Sequence, residues 1–494
     1  VESREVAAYW AKRGKVLDSA EAVRRYWHPG PELPPEGEPM EVVPPPPPPP
    51  AGVVLGQDEW GEVVLLDRSR PQHVYLLGKT GMGKSAYAMM PLVLRDIAEG
   101  RGCCVIDPHA TLVNNLLRRI PTAHAGRVYV LDFAGAWQQR RVPLGINLFD
   151  CNDHTDPTQQ GVVAERFVLL IRKLFDSWGA RMENILRNVG FVFAANPGEN
   201  LASVPRFLSQ EPFRRQLLRS VTNASVREYW LDDYPHIAPR ETQPVLDRLR
   251  GFLTNELMYQ VFSVPKTTFN VAEMLEERAT FLVRLLDKEI GEQSVKLLGA
   301  VLVDEFLRAA LARDEVPPGH PRQFHLYCDE FQEFATPATA KMFATVRKYG
   351  LGLVVAHQHR GQLQDENREA TLGAANYLFF QTSAKDAREV GANLEHEFPE
   401  RVLPHLPVGV AYAKLVGSVE GPVRLHAPTP PLYDEDHPLV VGIYQRSRER
   451  FGRPWSGRTP EPPPDPAGPA PEFYDAPPRP SNLRPSVRRV PSKD

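Results

Sequence analysis

Residues 74–85, VYLLGKTGMGKS, constrain this chain more than any other stretch. Val74 to Leu77 is a short apolar run that reads as a buried strand, and Ala86 to Ala98 continues with helical spacing. Between them, Gly78-Lys79-Thr80-Gly81-Met82-Gly83-Lys84-Ser85 fits the pattern G-x-x-x-x-G-K-[ST]. Glycines let the backbone curl until successive N–H groups face inward, and the following helix adds the positive end of its dipole. Such a cradle suits the phosphates of a nucleoside triphosphate. Lys84 is then expected to reach the β- and γ-phosphates, and the Ser85 hydroxyl to ligate Mg2+. ATP and Mg2+ are the expected cofactors.

The surrounding pattern alternates strands with helices. Val53 to Leu66 carries two strand-like runs around a Gly/Asp turn. Gly102 to Asp107 (GCCVID) and Val128 to Phe133 (VYVLDF) are further strands, with a helical pattern between them. This alternation predicts an α/β fold with a mostly parallel sheet, in which ligands sit beyond the carboxyl ends of the strands. From about Asn152 to Phe262, 3.6-residue periods dominate and strand signals fade, which predicts an inserted all-α domain. Strands resume at Ala279 to Leu286, FHLYCDE, LGLVVAHQ, NYLFFQT and GVAYAKL, separated by helices. The expected organisation is a first motor segment over 51–151, the all-α insertion over 152–270 and a second motor segment over 271–452.

The two ends read differently. Residues 1–50 combine a helical arm, with aromatics at Tyr9, Trp10, Tyr26 and Trp27, and a stiff polyproline spacer at Pro44 to Pro50. Residues 453–494 form a Pro-rich tail with too few apolar side chains to offset the entropy of ordering. No run approaches 18 apolar residues, so no membrane segment is expected, and the polar start is unlike a signal peptide. The expected location is cytoplasmic, peripheral at the inner membrane if membrane-associated at all. Cys103, Cys104, Cys151 and Cys328 form no C-x-x-C pair and read as free thiols. The formal net charge of −3 excludes a protein coated in basic residues, so nucleic acid would be met by local basic loops or a lined channel.

Two strands end in an acid. Asp107 is followed by Pro108, whereas Asp329 is followed by Glu330. Hydrolysis by water needs one carboxylate near the metal and another to orient or deprotonate the water. Asp329 is therefore assigned to the metal with Ser85, Glu330 to the water, and Asp107 to a supporting position beside them. Gln358, at the tip of the next strand, is the candidate sensor of the γ-phosphate. Arg347 is the candidate arginine finger, reaching a neighbouring subunit, with Arg68 and Arg70 as weaker candidates.

Taken in order, GKTGMGKS, VIDPH, YCDEFQEF and RKYGLGLVVAHQ, with a helical insertion between the second and third, resemble the HerA/FtsK superfamily of hexameric DNA-pumping ATPases. Within it, the pattern is most similar to conjugative coupling proteins of the VirD4/TraG/TraD type, over roughly Val53 to Arg453. SWGARMENILRN, FLTNELMYQVF and TSAKDAREVGANL carry the same likeness. The resemblance implies a RecA-like P-loop motor in a six-membered ring, with DNA in the central channel. It also implies Lys84, Ser85, Asp329, Glu330 and Gln358 as site residues and Arg347 as the arginine contributed between subunits. A relaxase, a nuclease or a secretion channel would be the partner. The chain departs from the pattern in lacking a membrane segment and in reading DPHA, with Ala110, where the family reads DPHG. Two alternatives remain open: a HerA-like motor in DNA end processing with a nuclease partner, and a secretion ATPase or docking platform for protein substrates.

Overall fold

The computed structural model describes residues 51–136, 141–175, 177–315, 322–417, 421–428 and 439–455. The expected N-terminal arm, the polyproline spacer and the tail beyond 455 lie outside the described residues.

The strands are β1 (Gly52–Asp58), β2 (Gly61–Leu66), β3 (Val74–Leu77), β4 (Gly102–Asp107), β5 (Val128–Asp132), β6 (Arg141–Val142), β7 (Thr280–Arg284), β8 (Phe324–Cys328), β9 (Leu351–His357), β10 (Asn376–Phe379), β11 (Val410–Lys414), β12 (Val423–His426) and β13 (Arg453–Pro454). Eleven of them form one sheet in the order β2-β1-β12-β11-β10-β3-β9-β8-β4-β7-β5. From β10 to β5 every neighbouring pair is parallel. The strands β2, β1, β12 and β11 continue the sheet in antiparallel pairing. β3, β4, β8, β9 and β10 bury every residue, as parallel strands covered on both faces must. β12 has no counterpart among the expected strands, because VRLH buries only Leu425 fully and owes its form to the strands beside it.

Two apolar layers follow from the pleat. On one face Leu76, Val105, Tyr327 and Val354 meet Leu92, Val93 and Ile97 of the helix that follows the P-loop. On the other, Tyr75, Ile106, Leu326 and Val355 meet the helix Glu292–Leu311 and the inserted helices. Between β6 and β7 the described elements are all helical, from Pro157 to Glu276, including Pro157–Ile171, Ala180–Ala194 and Pro239–Thr254. These helices have no separate core. One cluster runs from Tyr75 at the sheet through Phe167 and Val189 to Trp230 and Leu249. Arg166 fastens the insertion to the sheet side by pairing with Asp304 and Glu305, all three buried, so each charge is met by a partner.

The helix Leu439–Phe451 returns to β5, where the Ser447 hydroxyl accepts the Val130 N–H at 2.8 Å. Beyond it, β13 pairs with β6, so regular structure extends past the 452 boundary expected for the tail. Among the described residues no helix is long and apolar enough to cross a membrane. Cys103, Cys104 and Cys328 are buried, Cys151 is half-buried, and all four are free.

Candidate active site

The strand order brings the predicted residues together. β3 leads into the P-loop, β9 beside it ends before Gln358, and β8 next to β9 ends before Asp329 and Glu330. All three strands run parallel, so their carboxyl ends share one edge.

The P-loop turns through Gly81 at φ 77° and Gly83 at φ 111°. At Gly83 a side chain is excluded twice, by the left-handed backbone and by the Tyr87 ring, which an added Cβ would meet at 2.0 Å. The helix then opens with a wide π-type turn over Lys84–Met89 before the regular turns of Met90–Glu99. Wide turns of this kind recur at functional sites. Three latches hold the loop: Gly78 N–H to the His357 carbonyl at 3.3 Å, Lys79 N–H to Gln381 O at 2.7 Å, and Gly409 N–H to Met82 O at 3.2 Å. Two of these partners, Gln381 and Gly409, carry no side-chain signal in the sequence, because the latch is made by backbone.

Lys84 is buried and donates to the carbonyls of Gly78 at 2.6 Å and Lys79 at 3.2 Å. Burial lowers its pKa, opposed by the charges of Glu330 and Asp329. The Ser85 hydroxyl donates to Asp329 Oδ2 at 2.6 Å. Burial and then the neighbouring Asp107 push Asp329 up to about 6, against the Ser85 hydrogen bond and Lys84. Asp107 itself accepts the N–H groups of His109 at 3.0 Å and Val113 at 2.9 Å. It thus shapes the turn after β4 while standing close enough to Asp329 to raise its pKa. A hydroxyl and a carboxylate are hard oxygen donors, and Mg2+ is held by one or two such groups with substrate phosphates supplying more. Ser85 and Asp329 fit that ion.

Glu330 sits at φ 48°, a left-handed conformation costly for a non-glycine residue. Its Oε1 accepts from Gln358 Nε2 at 2.9 Å and its Oε2 from Gln332 Nε2 at 2.9 Å. Gln358 in turn accepts the Thr80 hydroxyl at 2.7 Å. Thr80, Gln358 and Glu330 therefore form one chain of hydrogen bonds across the mouth of the P-loop. The His357 side chain is turned inward, where its Nε2 accepts the Tyr75 hydroxyl at 2.8 Å. Arg360 continues this buried cluster through Glu389 at 2.9 Å and the Arg368 carbonyl at 2.9 Å. Sequence reading missed Thr80's link, Gln332 and Arg360. A polar residue two to three positions from a marked acid or Gln is the signal that could have raised them.

Arg347 is not brought to this edge. It lies exposed in the turn Val346–Tyr349 before β9, and its charge is felt by His73 at the start of β3. Seven strand residues separate that end from Gln358, about 23 Å. Arg68 is exposed, whereas Arg70 is fully buried against Asp96 and so has no reach to another subunit.

Residues 323–394 match the family model described as the TraM recognition site of TraD and TraG, a stretch that carries Asp329, Glu330 and Gln358. The chain resembles the VirD4/TraG-type conjugative coupling ATPases. The plasmid coupling protein TrwB, solved in complex with ADP and Mg2+, superposes with a TM-score of 0.55 at 16% identity, over 79% of this chain and 91% of TrwB. An unbound form of TrwB gives 0.51 at 14% identity, over 76% and 89%. VirB4 of Thermoanaerobacter pseudethanolicus gives 0.53 at 15% identity, over 77% of this chain and 97% of VirB4. The comparison with curated protein sequences gives no match. The fold of TrwB is shared: a RecA-like P-loop NTPase with an all-α part.

Proposed function

We propose that this chain is an ATP-driven DNA translocase that works as a hexameric ring in conjugation-like DNA transfer. The observation that carries the reading is the carboxylate pair Asp329–Glu330, one member bonded to Ser85 and the other to Gln358, at the mouth of a latched P-loop. ATP binds with its phosphates on the loop, and Lys84 exchanges the carbonyls of Gly78 and Lys79 for phosphate oxygens. Ser85 and Asp329 would hold Mg2+, which would neutralise charge on those oxygens. Glu330 orients a water and takes its proton as the water oxygen bonds to the γ-phosphorus. The bond from that phosphorus to the bridging oxygen breaks, leaving ADP and phosphate. Gln358 couples the state of the γ-phosphate to β9. Arg347, exposed and distant from its own P-loop, serves the site of an adjacent subunit, so an isolated subunit binds nucleotide but turns it over slowly.

Near-neutral net charge is compatible with DNA passing through a pore, because contact needs only local basic side chains on phosphates. The test is ATP turnover with and without DNA across a range of salt, together with particle images in a slowly hydrolysed ATP analogue. Stimulation by DNA and six-fold rings with density in the pore are expected. A rate indifferent to DNA at every salt concentration rejects the translocase. The match to a TraM recognition site and the likeness to VirB4 favour a second reading, a secretion ATPase that docks protein. Removing residues 456–494 separates the two: it abolishes partner binding on the second reading and leaves DNA-dependent turnover intact on the first.

A further inference from the structure

On the sheet face that carries the P-loop helix, four polar side chains meet in the core, away from the phosphates. Asp96, in the last turn of Met90–Glu99, accepts the Arg70 guanidinium at 2.7 Å and the Tyr327 hydroxyl at 2.6 Å, with His325 Nδ1 at 3.0 Å. Arg70 also donates to the Tyr327 hydroxyl at 2.6 Å. Arg70, Asp96 and Tyr327 have no exposed surface, and His325 has almost none. Burial alone would raise the Asp96 pKa, but His325 and Arg70 outweigh it and hold the carboxyl well below its usual range. Arg70 Nε and His325 Nε2 find no hydrogen-bond partner. A buried ionic cluster with unsatisfied atoms is a poor way to gain stability, since apolar side chains of the same volume often do as well. What such a cluster provides is geometry.

The geometry is a two-point grip. Side chains alternate along β8, so Tyr327 and Asp329 project to the same face. Tyr327 holds Asp96 near the C-terminal end of the helical run that begins at Lys84, and Asp329 holds Ser85 at its N-terminal end. Ser85 and Asp96 are about 16 Å apart along a helix axis. Tyr327 and Asp329 are only about 7 Å apart along a strand. The two grips, at opposite ends of the helical run, constrain its tilt as well as its position, alongside the packing of Leu92, Val93 and Ile97 on the sheet.

We propose that Tyr327, with Asp96 and Arg70, is a positioning residue for the Mg2+ site, setting the tilt of the P-loop helix so that the Ser85 hydroxyl stays in register with Asp329. This rests on the nucleotide reading given above. The test titrates Mg2+ against the full chain and a fluorescent ATP analogue, reading binding by fluorescence, and repeats the analogue titration in EDTA. Tyr327→Phe removes one hydroxyl from the cluster; its Mg2+ concentration for half-saturation should rise severalfold, because the grip that sets the helix tilt is weakened. Affinity in EDTA should be unchanged, and Asp96→Asn should show the same shift. Ile97→Val loosens the packing of the same helix without touching the cluster, and should keep the wild-type Mg2+ requirement. A wild-type requirement in folded Tyr327→Phe or Asp96→Asn overturns the assignment, and so does an equal shift in Ile97→Val. Arg70→Lys, which keeps the charge but loses the fork, decides the same question if the other two fail to fold: a raised Mg2+ requirement supports the assignment and a wild-type one overturns it. A wild-type protein that binds no analogue, or binds it without regard to metal, rejects the nucleotide reading itself.

Discussion

At the scale of single residues, the site separates binding from turnover. Glu330→Gln keeps the shape of the hydrogen bond to Gln358 but cannot take a proton. It should bind ATP with wild-type affinity and lose turnover by about 100-fold or more, measured by equilibrium binding beside a phosphate-release assay. Wild-type turnover in this variant would remove Glu330 from the mechanism. Gly83→Ala tests the loop itself. A methyl at φ 111° costs about 1–2 kcal/mol in backbone strain, and it must also displace the Tyr87 ring. Nucleotide binding should be lost while the circular dichroism of the fold is kept. Much of this site was legible in the chain, because a P-loop and an Asp-Glu pair after an apolar strand leave few alternatives. The Thr80–Gln358 link, Gln381 and Gly409 were not legible. Their roles come from backbone groups and partners hundreds of positions away, which no local spacing encodes. Arg70 was misjudged for a related reason: an arginine beside a P-loop strand reads as exposed until its partner Asp96 is placed over it.

At the scale of elements, two buried histidines tie the ends of the central strands. His73, before β3, accepts the Leu353 N–H at 3.0 Å, and His357, closing β9, accepts the Tyr75 hydroxyl. Both bonds need a neutral ring nitrogen. Burial holds His73 down to about 4 and His357 down to about 3, while an unfolded chain takes up the proton near 6.5. The native state therefore has its full advantage above pH 6.5 and loses it as pH falls toward those lower values. Between pH 7 and 5 each ring should cost about 2 kcal/mol of stability. Urea midpoints measured across that range should fall, and His357→Gln should flatten the slope. A slope unchanged in that variant would show that His357 titrates alike folded and unfolded. The strands bearing these histidines were readable from unbroken apolar runs. β12 was not, since its form depends on β1 and β11 rather than on its own residues.

At the scale of the whole molecule, Arg347 is exposed and distant from its own P-loop, and its proposed role at a neighbouring site would make turnover a property of an assembly. Arg347→Ala should bind ATP normally and lose about 1000-fold in DNA-stimulated turnover. Mixed with Glu330→Gln, it should regain activity that neither variant has alone, because a mixed ring contains sites with both an intact Glu330 and an intact neighbouring arginine. No recovery on mixing would place the arginine's action within one subunit or nowhere.

The placing of β3 between β9 and β10 also bears on how the protein is made. The P-loop strand emerges from the ribosome early, yet Tyr75 meets His357, a partner 282 positions later in the chain. Pairings so remote close slowly. Until residues near Gly409 have been synthesised, the loop lacks its latches and the acids lack their neighbours. A nascent or truncated chain that ends before these partners should therefore bind nucleotide poorly. Pulse-labelled intermediates ending before β9 should remain protease-sensitive around Val74–Ser85, and protection there should appear in one step with completion of the sheet.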